Sequence, residues 1–389
     1  MSGDEVLRAA IIRALEGYTY DELSFHLQDS AAFRSFCGYD WRRKAPSIST
    51  LQENIRRIRA ETWAELNKIL IGHAVTLGLE PGKATRIDCT NTDSNIHPPD
   101  DAAQLYDVVR VLTRLLRRGR RREPAVVVHK RTKRAKRRWL ETMNKKKDER
   151  VAPYRDLIRV TEEVVGWANK AVVLLRVGAV PGGRVEALAA EIERYAALGV
   201  RVVDQTRRRV IHGEKVPATE KVLSIFEPHT DIIIKDRRKV TYGHKLLLAT
   251  GTSGLVQYAA VLKGNPADST LVGQALDHVA DVLGKVPVEA ALDGGFASKR
   301  GLALVKAKGV KEVCFSKRRG MAITDMTSTT AVYRKLWRFR VGIEAGISWL
   351  KRCFGLRRCN WKGEDGFHAY VQSNVVAFNL LLLGRLSTA

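Results

Sequence analysis

Three acidic residues in this sequence stand where an α/β fold could gather them. Asp88 lies near the end of a short predicted strand, Asp293 directly follows another, and Glu344 belongs to a long predicted helix. Carboxylates that share a pocket repel one another unless cations bind between them. Their hard oxygen atoms suit Mg²⁺ or Mn²⁺. Two such ions, about 3.5–4 Å apart, can stabilise both the attacking and the leaving oxygen of a phosphoryl transfer.

Each of these acids also has a purely structural interpretation. An aspartate at a strand end, such as Asp88, often caps a turn. Asp293 begins an Asp-Gly-Gly sequence, which is typical of a turn. Glu344 is the only acid among nine Lys and Arg in residues 334–362, so it could simply be an ion-pair partner.

The residues around Glu344 give the most specific pattern. Trp337 and Arg340 precede it by seven and four residues, and Lys351 follows it by seven. At about 100° per residue, all three lie within roughly 40° of Glu344 on one helix face. That face therefore combines an aromatic ring, two cations and an acid.

The charge of the chain indicates a polyanionic partner. Its 389 residues contain 67 Lys and Arg against 42 Asp and Glu, a net charge of +25. Such an excess favours nucleic acid. Residues 114–147 alone contain 16 Lys and Arg and two Glu. A charged run is usually a solvated surface, but this density predicts phosphate contacts. The cations chosen for those contacts are Arg131, Lys133, Arg134, Lys136, Arg137 and Arg138.

The cysteines and the apolar segments bear on the compartment. Five scattered cysteines without a C-x-x-C pair argue against a disulfide framework or a zinc site and favour a reducing cytoplasm. The first residues lack a secretory apolar region, and the longest uncharged stretches are interrupted by polar residues. We therefore expect a cytoplasmic protein without a membrane segment.

The first 77 residues are predicted to be helical. Thr19–Glu22 and Ser49–Gln52 both have the form of a capping box, and apolar residues at helical spacing after the second predict one long helix. Short helices with a basic linker suit a helix-turn-helix-like DNA-binding domain. A helical cap without DNA contact is the alternative.

Beyond about residue 231 the pattern alternates between strands and helices, so the predicted fold class is α/β. A strand near Asp88, a long insertion, a hairpin, a strand ending at Asp293 and a helix carrying Glu344 resemble a ribonuclease H-like core. That core has a mixed five-stranded sheet with helices, on which these acids converge. The predicted domains are a helix-turn-helix-like domain at 1–80, the first part of the core at 81–113, a mostly helical basic insertion at 114–230, the rest of the core at 231–359 and a C-terminal helix at 360–389.

With these residues in place, the sequence resembles the DDE transposases of bacterial insertion sequences. These enzymes carry a motif Tyr-x2-Arg-x3-Glu-x6-Lys, whose spacing is kept here by Trp337, Arg340, Glu344 and Lys351, with Trp in place of Tyr. Several segments are also similar to the ISNCY group of these transposases: RIDCTNTDSNIHPPDD, IFEPHTDIIIKDRRKVTYGHKLLLATG, LKGNPADST, ALDGGFAS and the N-terminal TYDELSFHLQDSAAFRSFCGYD.

The resemblance implies a function and a role for each residue. Asp88, Asp293 and Glu344 would bind two Mg²⁺ or Mn²⁺ ions, and Arg340 and Lys351 would contact transposon-end DNA. Trp337 would keep a stacking role. The enzyme would bind the terminal inverted repeats, cleave at the transposon ends and join the 3′-hydroxyl to target DNA. Because two ends must meet, a homodimer or larger synaptic complex is expected.

Two other functions remain open at this point. A ribonuclease H-like nuclease or resolvase would cleave DNA without joining strands. A non-catalytic DNA-binding protein derived from a transposase would keep the basic surface without cleaving.

Overall fold

The computed structural model describes residues 1–40, 42–235 and 239–388. Two compact units are present. One contains residues 1–95 and 232–389, and the other contains residues 96–231. The first carries a β-sheet and the second is helical. None of the helices in the described part of the chain is long and apolar enough to span a bilayer.

The first unit begins with five helices, which pack around the buried indole of Trp63. The capping box at Thr19–Glu22 is confirmed, because each residue's side chain accepts a hydrogen bond from the other's backbone N–H. The one at Ser49 is wrong. Ser47 caps the helix instead, since its hydroxyl accepts from the Thr50 N–H. These helices are α1 (Gly3–Glu16), α2 (Tyr20–Asp29), α3 (Ala31–Cys37), α4 (Ile48–Ile55) and α5 (Ala60–Thr76).

The single long helix predicted after residue 49 is also wrong, because the chain forms α4 and α5 with a turn between them. The turn lies at the arginine-rich residues 56–59, whose backbone hydrogen bonds close short three- and four-residue loops. Ile58 lies in this turn but still packs against the helical core, so the apolar spacing of the sequence continues across the break. Periodicity alone therefore could not locate the break.

A mixed sheet forms the centre of this unit. Strands β1 and β3 are antiparallel, as are β3 and β4, whereas β1, β5 and β6 run parallel. The order β4-β3-β1-β5-β6 fits the ribonuclease H-like arrangement, and β2 adds a sixth strand beside β3 to the five that were predicted. The strands are β1 (Ala84–Asp93), β2 (Asp231–Lys235), β3 (Lys239–Thr250), β4 (Val256–Leu262), β5 (Glu289–Leu292) and β6 (Glu312–Phe315).

Helices cover both faces of the sheet. On β3, Leu247 and Ala249 pack on one face and Leu246 and Leu248 on the other, as the alternation of a strand requires. Burial on both sides explains the unbroken apolar run in this strand. The helices are α10 (Val272–Leu283) and α11 (Lys299–Ala307) on the first face, and α13 (Thr330–Cys353) and α14 (Glu364–Thr388) on the second, with a short α12 (Ile323–Met326).

The second unit is a bundle of long helices around its own apolar core. Its first helix is capped by Asp100, whose carboxylate accepts a hydrogen bond from the Ala103 N–H at 2.8 Å. Apolar residues of this helix are buried while its arginines face solvent. The helices are α6 (Asp101–Arg120), α7 (Thr132–Asn144), α8 (Val151–Arg176) and α9 (Arg184–Thr206).

Candidate active site

The register of the parallel strands brings Asp88 next to Asp293. Ile87 of β1 pairs with Leu292 of β5, so the next residue of each strand stands at the same level of the sheet. Asp88 is half-buried, and its Oδ1 accepts a hydrogen bond from the Cys89 N–H at 2.7 Å. Strand β1 runs on to Asp93, further than the short strand that was predicted to end near Asp88. Asp88 therefore lies within the strand, level with the end of β5.

Strand β6 adds a hydroxyl to this edge of the sheet. Leu292 pairs with Phe315, so Ser316 follows β6 as Asp293 follows β5. The Ser316 hydroxyl donates to Asp293 Oδ1 at 2.9 Å. Burial alone would raise the pKa of the Asp293 carboxyl. Hydrogen bonds from Ser316 and from two backbone N–H groups, with the charge of Arg340, outweigh burial and hold that pKa below its usual value.

The two glycines after Asp293 are needed for close approach. A Cβ on Gly294 would lie 2.7 Å from the Lys317 side chain, and one on Gly295 would collide with the Asp268 carboxylate. Neither glycine has a positive φ. The Asp-Gly-Gly sequence therefore serves packing around the acid, in addition to making a turn.

On helix α13, Arg340 links Glu344 to Asp293. The Arg340 guanidinium contacts Glu344 Oε1 at 3.0 Å and Asp293 Oδ1 at 3.2 Å. The two carboxylate oxygens therefore lie within two hydrogen-bond lengths of each other. The Arg340 side chain is only 12% exposed, whereas Glu344 is 60% exposed. Arg340 thus joins the second and third predicted acids, and Glu344 remains open to solvent.

Asp88 and Asp293 line one cleft of about 490 Å³ together with residues that sequence reasoning missed. A fourth carboxylate, Asp268, lies there in an ion pair with Lys245 Nζ at 2.6 Å. Lys317 and Arg319 also line the cleft. Asp268 falls in LKGNPADST, a segment that was noted for its similarity to transposases but given no role. Its location in the cleft depends on the pairing of β3 with β1, which the sequence alone did not show.

The other residues of the predicted motif lie on the same helix. Trp337 is 46% exposed and Lys351 lies in the last turn of α13. Because α13 is continuous between them, the predicted sharing of one face with Glu344 follows from helix geometry. Each lies about 10 Å along the axis from Glu344.

Several predicted DNA contacts in the second unit are occupied by ion pairs. Arg131 contacts Glu163 at 2.8 Å, and Arg138 contacts Asp156 at 2.6 Å. Arg134 also pairs with Asp156, which holds the pKa of that carboxyl at about 2. These pairs fasten α7 to α8, so a phosphate would have to compete with carboxylates for the same guanidinium groups. The remaining predicted cations are exposed: Lys133, Lys136 and Arg137, the last within 3.9 Å of Glu141.

The donor atoms fit a hard divalent cation, although they are not yet gathered around one point. Across the described residues, no group of three or more His, Cys, Asp and Glu side chains is positioned to hold a metal ion. Asp88 and Asp293 share the cleft, and Glu344 contacts Arg340 beside them.

Residues 198–380 match the family model described as the transposase DDE domain. The matched segment contains Asp293, Arg340 and Glu344 and begins after Asp88. No curated protein and no solved structure matches the chain.

Proposed function

We propose that this protein is an insertion-sequence transposase, of the ISNCY type, that cleaves transposon ends and joins them to target DNA. The match of residues 198–380 to the transposase DDE domain model supports this proposal. The observation that carries the proposal is the strand register. It sets Asp88 and Asp293 side by side at one edge of the sheet, where Arg340 connects Asp293 to Glu344.

Asp88, Asp293 and Glu344 would hold two Mg²⁺ or Mn²⁺ ions. When bound, these ions supply Lewis-acid activation and neutralise charge on the transferred phosphoryl group. The Ser316 hydroxyl keeps Asp293 oriented, and the lowered pKa of this carboxyl keeps it ionised near neutral pH. Ionised oxygens are the form that hard cations bind.

Arg340 has a second task in this proposal. A guanidinium binds a phosphate as readily as a carboxylate, by two parallel hydrogen bonds. We infer that it contacts the phosphate backbone of the transposon end when DNA enters. Lys351 would add a second phosphate contact, and the exposed ring of Trp337 would stack on a base or sugar.

Other parts of the chain would bind DNA outside the catalytic site. The helical N-terminal region, residues 1–80, would bind the terminal repeats, and the exposed cations Lys133, Lys136 and Arg137 would add backbone contacts. Two ends must be held at once, so the active species would be a homodimer or larger assembly. It would act in the cytoplasm, on the nucleoid.

The test is a cleavage and strand-transfer assay on labelled duplexes that carry the DNA flanking the coding sequence. Asp88→Asn, Asp293→Asn and Glu344→Gln should each abolish cleavage in Mg²⁺ while end binding persists. Asp277→Asn, an exposed acid on α10, is the matched control and should cleave normally. Near-normal cleavage by any of the three variants would remove that residue from the site.

The same assay separates the proposal from its alternatives. A pre-cut end with a free 3′-hydroxyl should be joined to a plasmid. Cleavage without joining would identify a nuclease or resolvase instead. Binding of ends by the wild-type protein, without cleavage in either Mg²⁺ or Mn²⁺, would identify a non-catalytic DNA-binding protein.

A further inference from the structure

One end of the helical unit carries a concentration of exposed arginines. The C-terminal end of α6 and the first turn of α9 enclose a cleft of about 550 Å³, which we call the arginine cleft. It is lined by Arg118, Arg121, Arg122 and Arg184, and Arg117 and Arg120 stand exposed on the last turn of the same helix α6.

Most of these arginines are not neutralised by the protein. Arg118 pairs with Glu191 at 3.2 Å. Within the described parts of the chain, the other five form no ion pair. The arginines of α7 differ, because Arg131, Arg134 and Arg138 are held by acids of α8. The arginine cleft is therefore one of the places where the basic run carries charge without an acidic partner, together with exposed cations on α7 and just outside it.

Helix stabilisation explains only part of this cluster. Cations in the last turn of α6 interact favourably with the helix dipole. Arg184 is different because it is the first residue of α9, where the dipole disfavours a cation. The N-cap residue there, Gly183, offers no side chain to the free N–H groups. Glu186 in the first turn of α9 offsets part of the positive charge at this helix end, but Arg184 still adds a cation to those of α6.

We propose that the arginine cleft binds the phosphate backbone of duplex DNA, at a distance in sequence from the catalytic acids. The inference rests on the proposed function, which supplies a long duplex as substrate. Arg114, Arg117 and Arg121 are exposed and follow one face of α6 over about 10 Å. A duplex presents a charge about every 1.7 Å along its axis, so several phosphates fall within reach of this row.

An anionic membrane surface would require different chemistry. Val177 and Val180, 78% and 72% exposed, lie in the loop before α9. Peripheral membrane binding uses an amphipathic helix with Trp, Phe or Leu on its apolar face. Val173 and Leu174, 65% and 36% exposed at the end of α8, extend this apolar patch. The patch still contains no Trp or Phe and only one Leu, whereas duplex DNA needs only the cations.

The experiment measures binding of a random-sequence 30-base-pair duplex by the full chain at several salt concentrations. The variant Arg117→Gln/Arg121→Gln/Arg184→Gln should bind about tenfold or more weakly at 0.1 M salt. Its plot of log K against log[salt] should be shallower by roughly two to three units, since each lost phosphate contact removes about 0.9. Arg→Lys replacements at the same three positions should keep the wild-type slope, which separates lost charge from lost folding.

A matched control removes the same charge elsewhere in the unit. Arg155, Arg159 and Lys170 are exposed on α8 and form no ion pair with any described residue. Their triple Gln variant should stay within about twofold of wild type. A Gln variant of the cleft with an unchanged slope, or a control that weakens equally, would overturn the proposal. So would loss of binding to phosphatidylserine vesicles with DNA affinity intact.

The outcome for the arginine cleft is separable from the proposed function. Wild-type cleavage of end DNA is measured in parallel. If wild type cleaves but the cleft variant keeps the full salt slope, only the cleft assignment fails. If the salt slope falls as expected but wild type never cleaves, the proposed function fails and the DNA-binding surface stands.

Discussion

Replacing Arg340 should strengthen metal binding in the absence of DNA while it weakens cleavage. The guanidinium occupies oxygens of Asp293 and Glu344 that a cation would need, at 3.2 and 3.0 Å. In Arg340→Gln this competition is removed. The same replacement deletes the proposed phosphate contact, so DNA cleavage should fall.

The magnitude follows from the exposure of the two acids. Asp293 and Glu344 are 39% and 60% exposed, so each contact with Arg340 is screened by water and contributes up to about 1 kcal/mol. Displacing both contacts costs about 1–2 kcal/mol. Without Arg340, Mn²⁺ should therefore bind about five- to thirtyfold more tightly.

The assay is a calorimetric titration of the full chain with Mn²⁺, without DNA. Arg338→Gln is the matched control, because Arg338 is exposed on the same helix and forms no ion pair with a described residue. It should bind Mn²⁺ as wild type does. Unchanged or weaker Mn²⁺ binding in Arg340→Gln would refute the view that this guanidinium competes with the metal.

Three further predictions concern local contacts. Ser316→Ala should raise the pKa of Asp293, because a hydrogen bond to the ionised carboxylate is lost, so cleavage should decline at a higher pH than in wild type as the pH is lowered; an unshifted acidic limb of the pH–rate profile would contradict this. Gly295→Ala should lower the melting temperature, with a destabilisation of about 1–3 kcal/mol, because its Cβ meets the Asp268 carboxylate. Gly166→Ala, where a Cβ has open space, is the control. Equal melting temperatures for Gly295→Ala and wild type would show that the site relaxes freely. Asp156→Asn should destabilise the protein by about 1–2 kcal/mol at pH 7, after allowance for the solvent exposure of its arginine partners. The folded pKa of Asp156 is about 2, below the usual 3.8, so this contribution is present above about pH 4 and disappears as the pH falls towards 2. Urea unfolding curves of variant and wild type should therefore differ at pH 7 and converge near pH 2.

The sequence predicted correctly those features that depend on a single helix or strand. The long helix that was predicted to carry Glu344 is α13, which runs from Thr330 to Cys353, so the positions of Arg340 and Glu344 on one face followed from spacing. The strands that carry Asp88 and Asp293 were also identified. What spacing could not give was the pairing of Ile87 with Leu292, which depends on how β1 and β5 pack within the sheet.

Contacts between distant elements account for most of what was missed. Arg340 was expected to contact DNA, and its contact with Asp293 depends on α13 lying against the end of β5. The charged run was treated as one surface, but Asp156 and Glu163 on α8 neutralise the arginines of α7. No local pattern links acids to cations 18 to 32 residues away. Likewise, Asp268 lies in the cleft beside Lys245 of β3 and Gly295, which are distant from it in sequence.

The most direct test is a crystal structure of the wild-type chain with Mn²⁺ and cleaved-end DNA, using the anomalous signal of the ion. We expect Mn²⁺ coordinated by carboxylate oxygens of Asp88, Asp293 and Glu344, with Arg340 turned away from both acids and onto a DNA phosphate. Mn²⁺ bound elsewhere, with Arg340 still joining Asp293 to Glu344 while DNA is in place, would contradict the account.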